Sequence, residues 1–197
     1  MRLNHKTTFD KILSLKITLN ETSPAIWRRV LVPASVKFFD LHHIIQMSMG
    51  WTNSHLFEFQ VGDYKIGYTE PNENFDDVAN ASEVTLDLLL MKEGFTFTYL
   101  YDFGDYWKHT VVIEKISENE AGKVYPVCTD GQLRCPSEDS GGISGFYENL
   151  EILKNPKHPE YKDTKRWLGR GYDPGKFDID KVNKLLPKFK SWMKHWR

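Results

Sequence analysis

An alternation of aromatic residues near the middle of the chain constrains the fold more than any other feature. Every second residue from position 95 to position 101 is Phe or Tyr, which is the period of a β-strand with one aromatic face. A second alternation follows from position 107 to position 113, where Trp, His, Val and Ile share a face. The intervening Asp-Phe-Gly-Asp at positions 102–105 favours a tight turn. The pattern therefore predicts an antiparallel hairpin with Asp102 and Asp105 at its tip and His109 on its second strand.

The first half of the chain supplies further strands and one long helix. Alternating apolar residues predict strands at 12–19, 26–32, 55–61 and 64–68. A helical apolar spacing predicts a helix at 38–49 that ends at Gly50. The order of strand, strand, helix, strands, short helix and strand predicts an α+β fold. In that fold a mixed or mainly antiparallel, β-grasp-like sheet is crossed by one helix.

The remainder of the chain predicts a loop and then helices. Residues 117–145 are rich in turn formers and predict a long loop that is packed down on the domain. Helical spacing returns at 144–153, 159–168 and 178–196, and Pro187 is expected to interrupt the last helix. We therefore expect a C-terminal helical extension. We also expect one domain over residues 1–197, with a sheet-and-helix part at about 11–117 and a loop-and-helical part at about 118–197.

Composition narrows the classes of function. The chain has 197 residues, 40% of them hydrophobic, and a formal net charge of −1. It can therefore bury a sizeable core, and its charge balance does not support binding to nucleic acid. No apolar run is long enough for a membrane span, and the first residues lack the apolar core of a signal peptide. Two cysteines are too few for a disulfide scaffold. These features predict a soluble, cytoplasmic protein.

The hairpin sequence also carries a family resemblance. Positions 101–109 read YDFGDYWKH, which resembles the Tyr-Asp-Phe-Gly-Asp-x-Trp-x-His signature of the plasmid pRiA4b ORF-3-like family. Further blocks agree in order: IWRRVLVP at 26–33, DLHHIIQMSMGW at 40–51, SHLFEF at 54–59, CPSEDSGGISGFY at 135–147 and NPKHPEY at 155–161. Some members carry labels such as transposon resolvase, so the resemblance suggests a mobile-element or regulatory setting. It implies no particular activity.

Five polar residues on the helix, the following strand and the hairpin are candidates for a functional site. They are His42, His55, Asp102, Asp105 and His109. Imidazole and carboxylate groups can hold a metal ion or act as general acid and base. The spacings match no ligand motif such as His-Glu-x-x-His, so the sequence assigns no metal ligand and no cofactor. The structural alternative is that the aspartates bond to amides of their own turn and that His109 satisfies a neighbour.

Two further features bear on this candidate site. On the helical wheel His42 lies beside the apolar stripe, which predicts a half-buried imidazole that contacts Gln46 or lines a cleft. His43 is predicted to point outward. In the long loop, Glu138 and Asp139 predict a structured turn near the hairpin tip, with a partner-binding edge as its use.

The sequence leaves two functions open. The first is a non-enzymatic binding or interaction module that engages a protein or peptide through its sheet and aromatic face. The second is a metal-assisted hydrolase or small-molecule-binding site built from the histidines and aspartates. The chain contains no phosphate-binding loop and no nucleophile elbow, and it lacks the serine and arginine cluster of a resolvase.

Overall fold

One eight-stranded sheet forms the body of the protein, for which a computed structural model describes residues 11–68, 77–89 and 92–192. The strands are β1 (Lys11–Leu19), β2 (Ile26–Pro33), β3 (Phe57–Val61), β4 (Tyr64–Gly67), β5 (Val78–Asn80), β6 (Thr96–Tyr101), β7 (Trp107–Glu118) and β8 (Val127–Gln132). Their order across the sheet is β5-β4-β3-β6-β7-β1-β2-β8. All neighbours are antiparallel except β4 and β5. The predicted mixed, mainly antiparallel sheet is confirmed.

The central hairpin consists of β6 and β7. Tyr99 is paired with His109, and Tyr101 is paired with Trp107. All four side chains are buried, because alternate residues of a strand point to the same face and this face is the inner one. The predicted hairpin with an aromatic inner face is therefore confirmed.

A single long helix, α1 (Phe38–Met49), crosses the inner face of the sheet. Phe38 packs edge-on against Phe59 of β3 and Phe97 of β6, with ring centroids 5.0 and 6.0 Å apart. The helix ends where Gly50 adopts a left-handed conformation with φ 90°, which glycine reaches without the steric cost of a side chain. A short 3-10 helix (Leu86–Leu89) precedes β6 and corresponds to the short helix in the predicted order.

The two arginines of β2 lie on opposite faces of the sheet. Arg28 is buried, and its Nε donates to the carbonyl of Ser48 at 2.9 Å. Ser48 stands at the C-terminal end of α1, where the helix dipole is negative and favours a cation. Arg29 lies on the outer face and pairs with Glu114 of β7 and Asp130 of β8. The inner face therefore carries α1, while the outer face carries ion pairs.

The C-terminal part is helical, as predicted. It contains α2 (Gly142–Lys154), α3 (Tyr161–Leu168), α4 (Ile179–Leu185) and α5 (Phe189–Trp192), with a 3-10 turn at Leu186–Lys188 between the last two. Pro187 interrupts the predicted helix because it has no N–H to donate. Positions 193–196 of that predicted helix lie outside the described residues. Across the three described segments, no helix is both long enough and apolar enough to cross a membrane.

The strand β8 was not predicted, because it lies in the segment that the sequence marked as a long loop. It pairs with β2 on one side. On the other side Asn183 of α4 covers it. The N–H of Cys128 donates to Oδ1 of Asn183, and Nδ2 of Asn183 donates to the carbonyl of Cys128, both at 2.8 Å. At Cys128 the side-chain amide thus makes both hydrogen bonds that a neighbouring strand would make.

The prediction that His43 points outward is wrong. His43 is fully buried, and its Nδ1–H donates to the carbonyl of Phe39 at 2.7 Å. Ten of the twelve residues of α1 are buried, because the helix contacts α4 and α5 in addition to the sheet. A single apolar stripe predicts only the face that packs on the sheet, so the second buried face was missed.

Candidate functional site

Three segments meet at the tip of the central hairpin. They are the loop before β3 (residues 52–56), the β6–β7 turn (102–106) and the turn before α2 (137–142). We call this region the hairpin tip. The N–H of Asp102 donates to the carbonyl of Leu56 at 2.9 Å, and the N–H of Gly141 donates to the Asp105 carboxylate at 3.2 Å. These bonds fix the β6–β7 turn to the other two segments.

The β6–β7 turn itself is tightly folded. Asp102 and Tyr106 both adopt left-handed backbone conformations, with φ 59° and 58°, and the N–H of Tyr106 donates to the carbonyl of Asp102 at 2.7 Å. Oδ1 of Asp102 accepts from the N–H of Gly104 at 2.8 Å, so this aspartate bonds to its own turn as the structural alternative predicted. Asp105 does not, because its carboxylate bonds to another segment.

The loop before β3 is held by side chains rather than by regular secondary structure. Three consecutive N–H groups at positions 52–54 donate in turn to Oε2 of Glu138 at 2.8 Å, to Oε1 of Gln46 at 3.1 Å and to the hydroxyl of Tyr101 at 2.9 Å. The Tyr101 hydroxyl in turn donates to the Glu138 carboxylate. Burial and the neighbouring Glu138 carboxylate raise the pKa of Tyr101, so the phenol keeps its proton for this bond. The structure thus places Glu138 at the hairpin tip.

A buried polar network lies beneath this loop. Nδ1 of His42 is 2.7 Å from the hydroxyl of Tyr99, and Nε2 of His42 contacts Oδ1 of Asn53. Nε2 of Gln46 donates to the Tyr99 hydroxyl at 2.9 Å, and Nδ2 of Asn53 lies 3.4 Å from Nε2 of His43. Because an amide oxygen only accepts, His42 carries its proton on Nε2, and Tyr99 then donates to Nδ1. Each bond in the network therefore has one donor and one acceptor.

The structure places His42 in the core and not in a cleft. Its side chain is 1% exposed, and its ring stacks on Phe57 at a centroid distance of 3.7 Å. Burial lowers the pKa of His42 well below its ordinary value, which keeps the imidazole neutral. The prediction of a half-buried imidazole is wrong, because β3 and the loop after α1 cover this side of the helix. The contact with Gln46 is indirect and passes through Tyr99.

His109 is also buried, but its hydrogen bonding is incomplete. Nδ1 lies 3.3 Å from the carbonyl of Tyr99, while Nε2 has no hydrogen-bond partner among the described residues. Its ring meets the ring of Trp51 edge-on at 5.4 Å. Burial lowers the pKa of His109 to about 4. Two of the three candidate histidines therefore lie in the core, separate from the hairpin tip.

The structure brings His55, Asp102 and Asp139 together at the hairpin tip. Nε2 of His55 lies 3.1 Å from Oδ1 of Asp139 and 3.5 Å from Oδ2 of Asp102. One ligand atom from each of the three residues lies within 4.8 Å of the other two. The sequence had placed His55 and Asp102 in one candidate group and Asp139 in another. The fold joins the two groups because the turn before α2 packs against the hairpin.

Exposed apolar side chains stand on two of the segments that carry this polar group. Leu56 is 58% exposed, Phe103 is 53% exposed and Tyr106 is 55% exposed. A surface cavity of about 360 Å³ lies beside His55 and Asp102, with Leu56 and Phe103 among its lining residues. Apolar side chains that remain in water on neighbouring loops are a feature of binding surfaces.

The sequence analysis missed the roles of Asn53 and Tyr99. Asn53 has a left-handed backbone with φ 65° and is 4% exposed. An asparagine in the loop that follows α1 is a weak signal for such a conformation, since asparagine tolerates it better than most residues. Tyr99 was predicted only as one ring of the aromatic face, because a strand pattern gives no information about what a hydroxyl group bonds to.

Comparisons with known proteins identify a family and two similar proteins. Residues 11–181 match the model of the family described as plasmid pRiA4b ORF-3-like protein. The chain is 37% identical over 178 residues to the protein "Uncharacterized protein y4hQ" of Sinorhizobium fredii (strain NBRC 101917 / NGR234), covering 89% of this chain and 90% of that protein. It is 38% identical to the solved structure of a protein of unknown function, MM3350, from Methanosarcina mazei Go1, with a TM-score of 0.79. That match covers 88% of this chain and 98% of the other.

Proposed function

The chain belongs to the plasmid pRiA4b ORF-3-like family, and on that premise we propose that it is a non-enzymatic module that binds a protein or peptide segment at the hairpin tip. The names of the two relatives carry no activity, so the proposal rests on the geometry of the hairpin tip. Its ligand class is a peptide segment that offers an apolar side chain next to a basic one.

One observation carries the proposal. Leu56, Phe103 and Tyr106 are each more than half exposed, and they stand on two loops that are hydrogen-bonded to each other. A single exposed apolar residue is ordinary on a protein surface, whereas a local group of them marks an interaction site. Burying one such side chain against a partner contributes roughly 1.5–3 kcal/mol, so three of them supply a useful part of a binding free energy.

The loops that carry these side chains are held in place before any partner binds. The N–H groups at positions 52–54 are all bonded to side chains of the core and the adjoining turn, and Asp102 bonds to Gly104 within the β6–β7 turn. A surface that is already ordered loses little conformational entropy on binding. The hairpin tip is therefore suited to recognition by a fixed surface.

The charge of the hairpin tip indicates which partner it favours. Segments 52–56, 102–106 and 137–142 contain no lysine and no arginine. Apart from Tyr106, their ionisable side chains are His55, Asp102, Asp105, Glu138 and Asp139. Complementary charge on the two surfaces favours association and excludes wrong partners, so a segment with lysine or arginine beside its apolar residue is expected.

Selection from a random dodecapeptide library displayed on phage, followed by fluorescence polarisation with a selected peptide, tests the proposal. We expect enriched peptides to pair an aromatic or aliphatic residue with a basic one. Phe103→Ala is expected to weaken binding at least tenfold, which corresponds to about 1.4 kcal/mol. Leu88→Ala is the matched control, because Leu88 is 66% exposed and stands on the 3-10 helix before β6. It should change affinity less than about twofold.

Two outcomes would contradict the proposal. One is the failure to enrich any peptide that binds with a Kd below about 100 μM. The other is an equal loss of affinity in the Phe103 and Leu88 variants, which would show that the peptide does not recognise the hairpin tip.

A further inference from the structure

We propose that His55, Asp102 and Asp139 form a binding site for a divalent first-row transition-metal cation. The three side chains come from three separate segments, namely the loop before β3, the β6–β7 turn and the turn before α2. The proposal does not depend on peptide binding, because it rests on the spacing, burial and charge of these three side chains alone.

The distances between the ligand atoms agree with those around a bound metal. Zinc and similar cations bind imidazole nitrogen and carboxylate oxygen at about 2.0–2.2 Å. Two ligand atoms at that distance are about 3.0 Å apart at octahedral angles and about 3.4 Å apart at tetrahedral angles. Nε2 of His55 lies 3.1 Å from Asp139 and 3.5 Å from Asp102. These two distances are close to those between coordinated ligand atoms, and all three ligand atoms lie within 4.8 Å of one another.

Asp102 is arranged as a ligand by its own turn. The residue is only 7% exposed, and its Oδ1 is occupied by the N–H of Gly104 at 2.8 Å. Its Oδ2 faces His55 at 3.5 Å, which is longer than a normal hydrogen bond. Because its own turn uses Oδ1, Oδ2 is the oxygen that Asp102 can offer to a cation. The hydrogen bond to Oδ1 also orients the carboxylate, as outer contacts do in known metal sites.

The local charge favours the binding of a cation. Two carboxylates face one imidazole, and the three contributing segments contain no lysine or arginine that would neutralise them. One nitrogen with two oxygens suits zinc, manganese, iron(II) or cobalt(II), whereas calcium and magnesium prefer oxygen alone. Three protein ligands leave at least one coordination position for water or a ligand group. The cavity of about 360 Å³ beside His55 and Asp102 gives access to that position.

Titration of the full chain, after removal of metal by chelation, tests the site. Zinc chloride is added in an isothermal titration calorimeter, and cobalt(II) chloride is added in parallel to record the visible spectrum of the bound ion. We expect one site in the unaltered protein. His55→Ala, Asp102→Asn and Asp139→Asn should each lower the zinc affinity at least tenfold, since each removes a ligand or its charge. Asp102→Asn keeps an oxygen for the N–H of Gly104, so the turn is preserved.

The control variants make similar substitutions outside the site, so the three ligands stay intact. Glu148→Gln removes an exposed carboxylate of α2, outside the three segments, and it should bind zinc within about threefold of the unaltered protein. His158→Ala removes a histidine of a distant segment and should behave likewise.

Two results would overturn the proposal. The first is less than a tenth of an equivalent of zinc bound at a free concentration of about 100 μM. The second is unchanged binding in His55→Ala, which would place the metal on other histidines. If peptide binding is absent while zinc still binds at this site, only the proposed function fails. The reverse result would remove only the metal site.

Discussion

Replacing His109 with methionine tests how the buried histidines respond to acid. His109 is fully buried, and its Nε2 has no hydrogen-bond partner among the described residues. Burial, and to a smaller extent the positive charge of Arg28, lowers the pKa of His109 to about 4. Methionine is of comparable size, fills irregular spaces and does not titrate in this range.

The expected magnitude follows from the linkage between proton binding and folding. Below the ordinary histidine pKa of 6.5, the unfolded chain binds a proton that the folded protein does not. The free energy of unfolding therefore falls as the pH falls. The stability is fully present above pH 6.5 and is lost progressively toward pH 4. Between pH 7.5 and pH 5.0, His109 alone accounts for about 2 kcal/mol. Burial also lowers the pKa of His42 and His43, so both act in the same direction.

Urea unfolding at several pH values between 7.5 and 5.0 measures this effect. The unaltered protein should lose stability steeply over this interval, and His109→Met should lose about 2 kcal/mol less. At pH 7.5 the variant should stay within about 1.5 kcal/mol of the unaltered protein, because it gives up one long hydrogen bond and removes one unpaired nitrogen. Ile113→Met, at a buried residue on the same face of β7, introduces methionine without removing a titrating group and should leave the pH dependence unchanged. The same pH dependence in His109→Met and in the unaltered protein would refute the reasoning.

Three further substitutions test the packing around the site by urea unfolding at pH 7.5. Asn53→Ala removes the acceptor of His42 and places alanine in a left-handed conformation, so we expect the free energy of unfolding to fall by about 2–4 kcal/mol. An Asn53→Gly variant as stable as the unaltered protein would show that the lost hydrogen bond contributes nothing to this loss. Asn183→Ala leaves the N–H and carbonyl of Cys128 without their partner at the edge of β8, which should cost about 1–3 kcal/mol; a change below about 0.5 kcal/mol would show that water replaces both bonds. Gly142→Ala places a methyl group 2.6 Å from the carbonyl oxygen of Asp105. It should lower the free energy of unfolding more than Gly94→Ala, whose methyl group meets nothing within 4 Å at a similar φ. Equal losses of stability in the two variants would show that the close approach to Asp105 has no steric cost.

The sequence predicted strands well wherever one face is buried and the other is not. The central hairpin alternates strictly, because its inner residues pack on α1 and its outer residues face water. In β8 only Cys128 of the six residues is buried. An edge strand that is covered by a side chain of α4 does not need alternating apolar residues, so its pattern resembles a loop. The helix α1 shows the same limit of pattern-based prediction. Its apolar stripe predicted only one of the two sides that are buried.

The candidate site depended on contacts that local patterns do not record. Alternation correctly assigned His109 to the inner face, but it gave no distance from that face to the hairpin tip. Asp139 reaches His55 because Glu138 binds the Tyr101 hydroxyl and because Gly142 lets the chain approach the carbonyl of Asp105. These are contacts between segments distant in sequence. The sequence could therefore name the participating side chains without showing which of them meet.

The acidic residues of the hairpin tip divide into two kinds by what their oxygens bind. Glu138 accepts from the N–H and hydroxyl of Thr52 and from Tyr101. Asp105 accepts from the N–H of Gly141. Both carboxylates are used to hold neighbouring segments in position. Replacing Glu138 therefore changes the shape of the hairpin tip as well as its charge, and a loss of binding in such a variant has no single cause.

Asp139, His55 and Phe103 can be changed without moving the loops. The side chain of Asp139 is 72% exposed and that of His55 is 30% exposed, and neither accepts from a backbone N–H among the described hydrogen bonds. Phe103 projects from the turn into water. Because these three side chains contact solvent, the cation site and the apolar surface can each be removed on an unaltered fold. That separation follows from the buried network of His42, Asn53 and Tyr99, which fixes the loop from below and leaves its outer side chains available for binding.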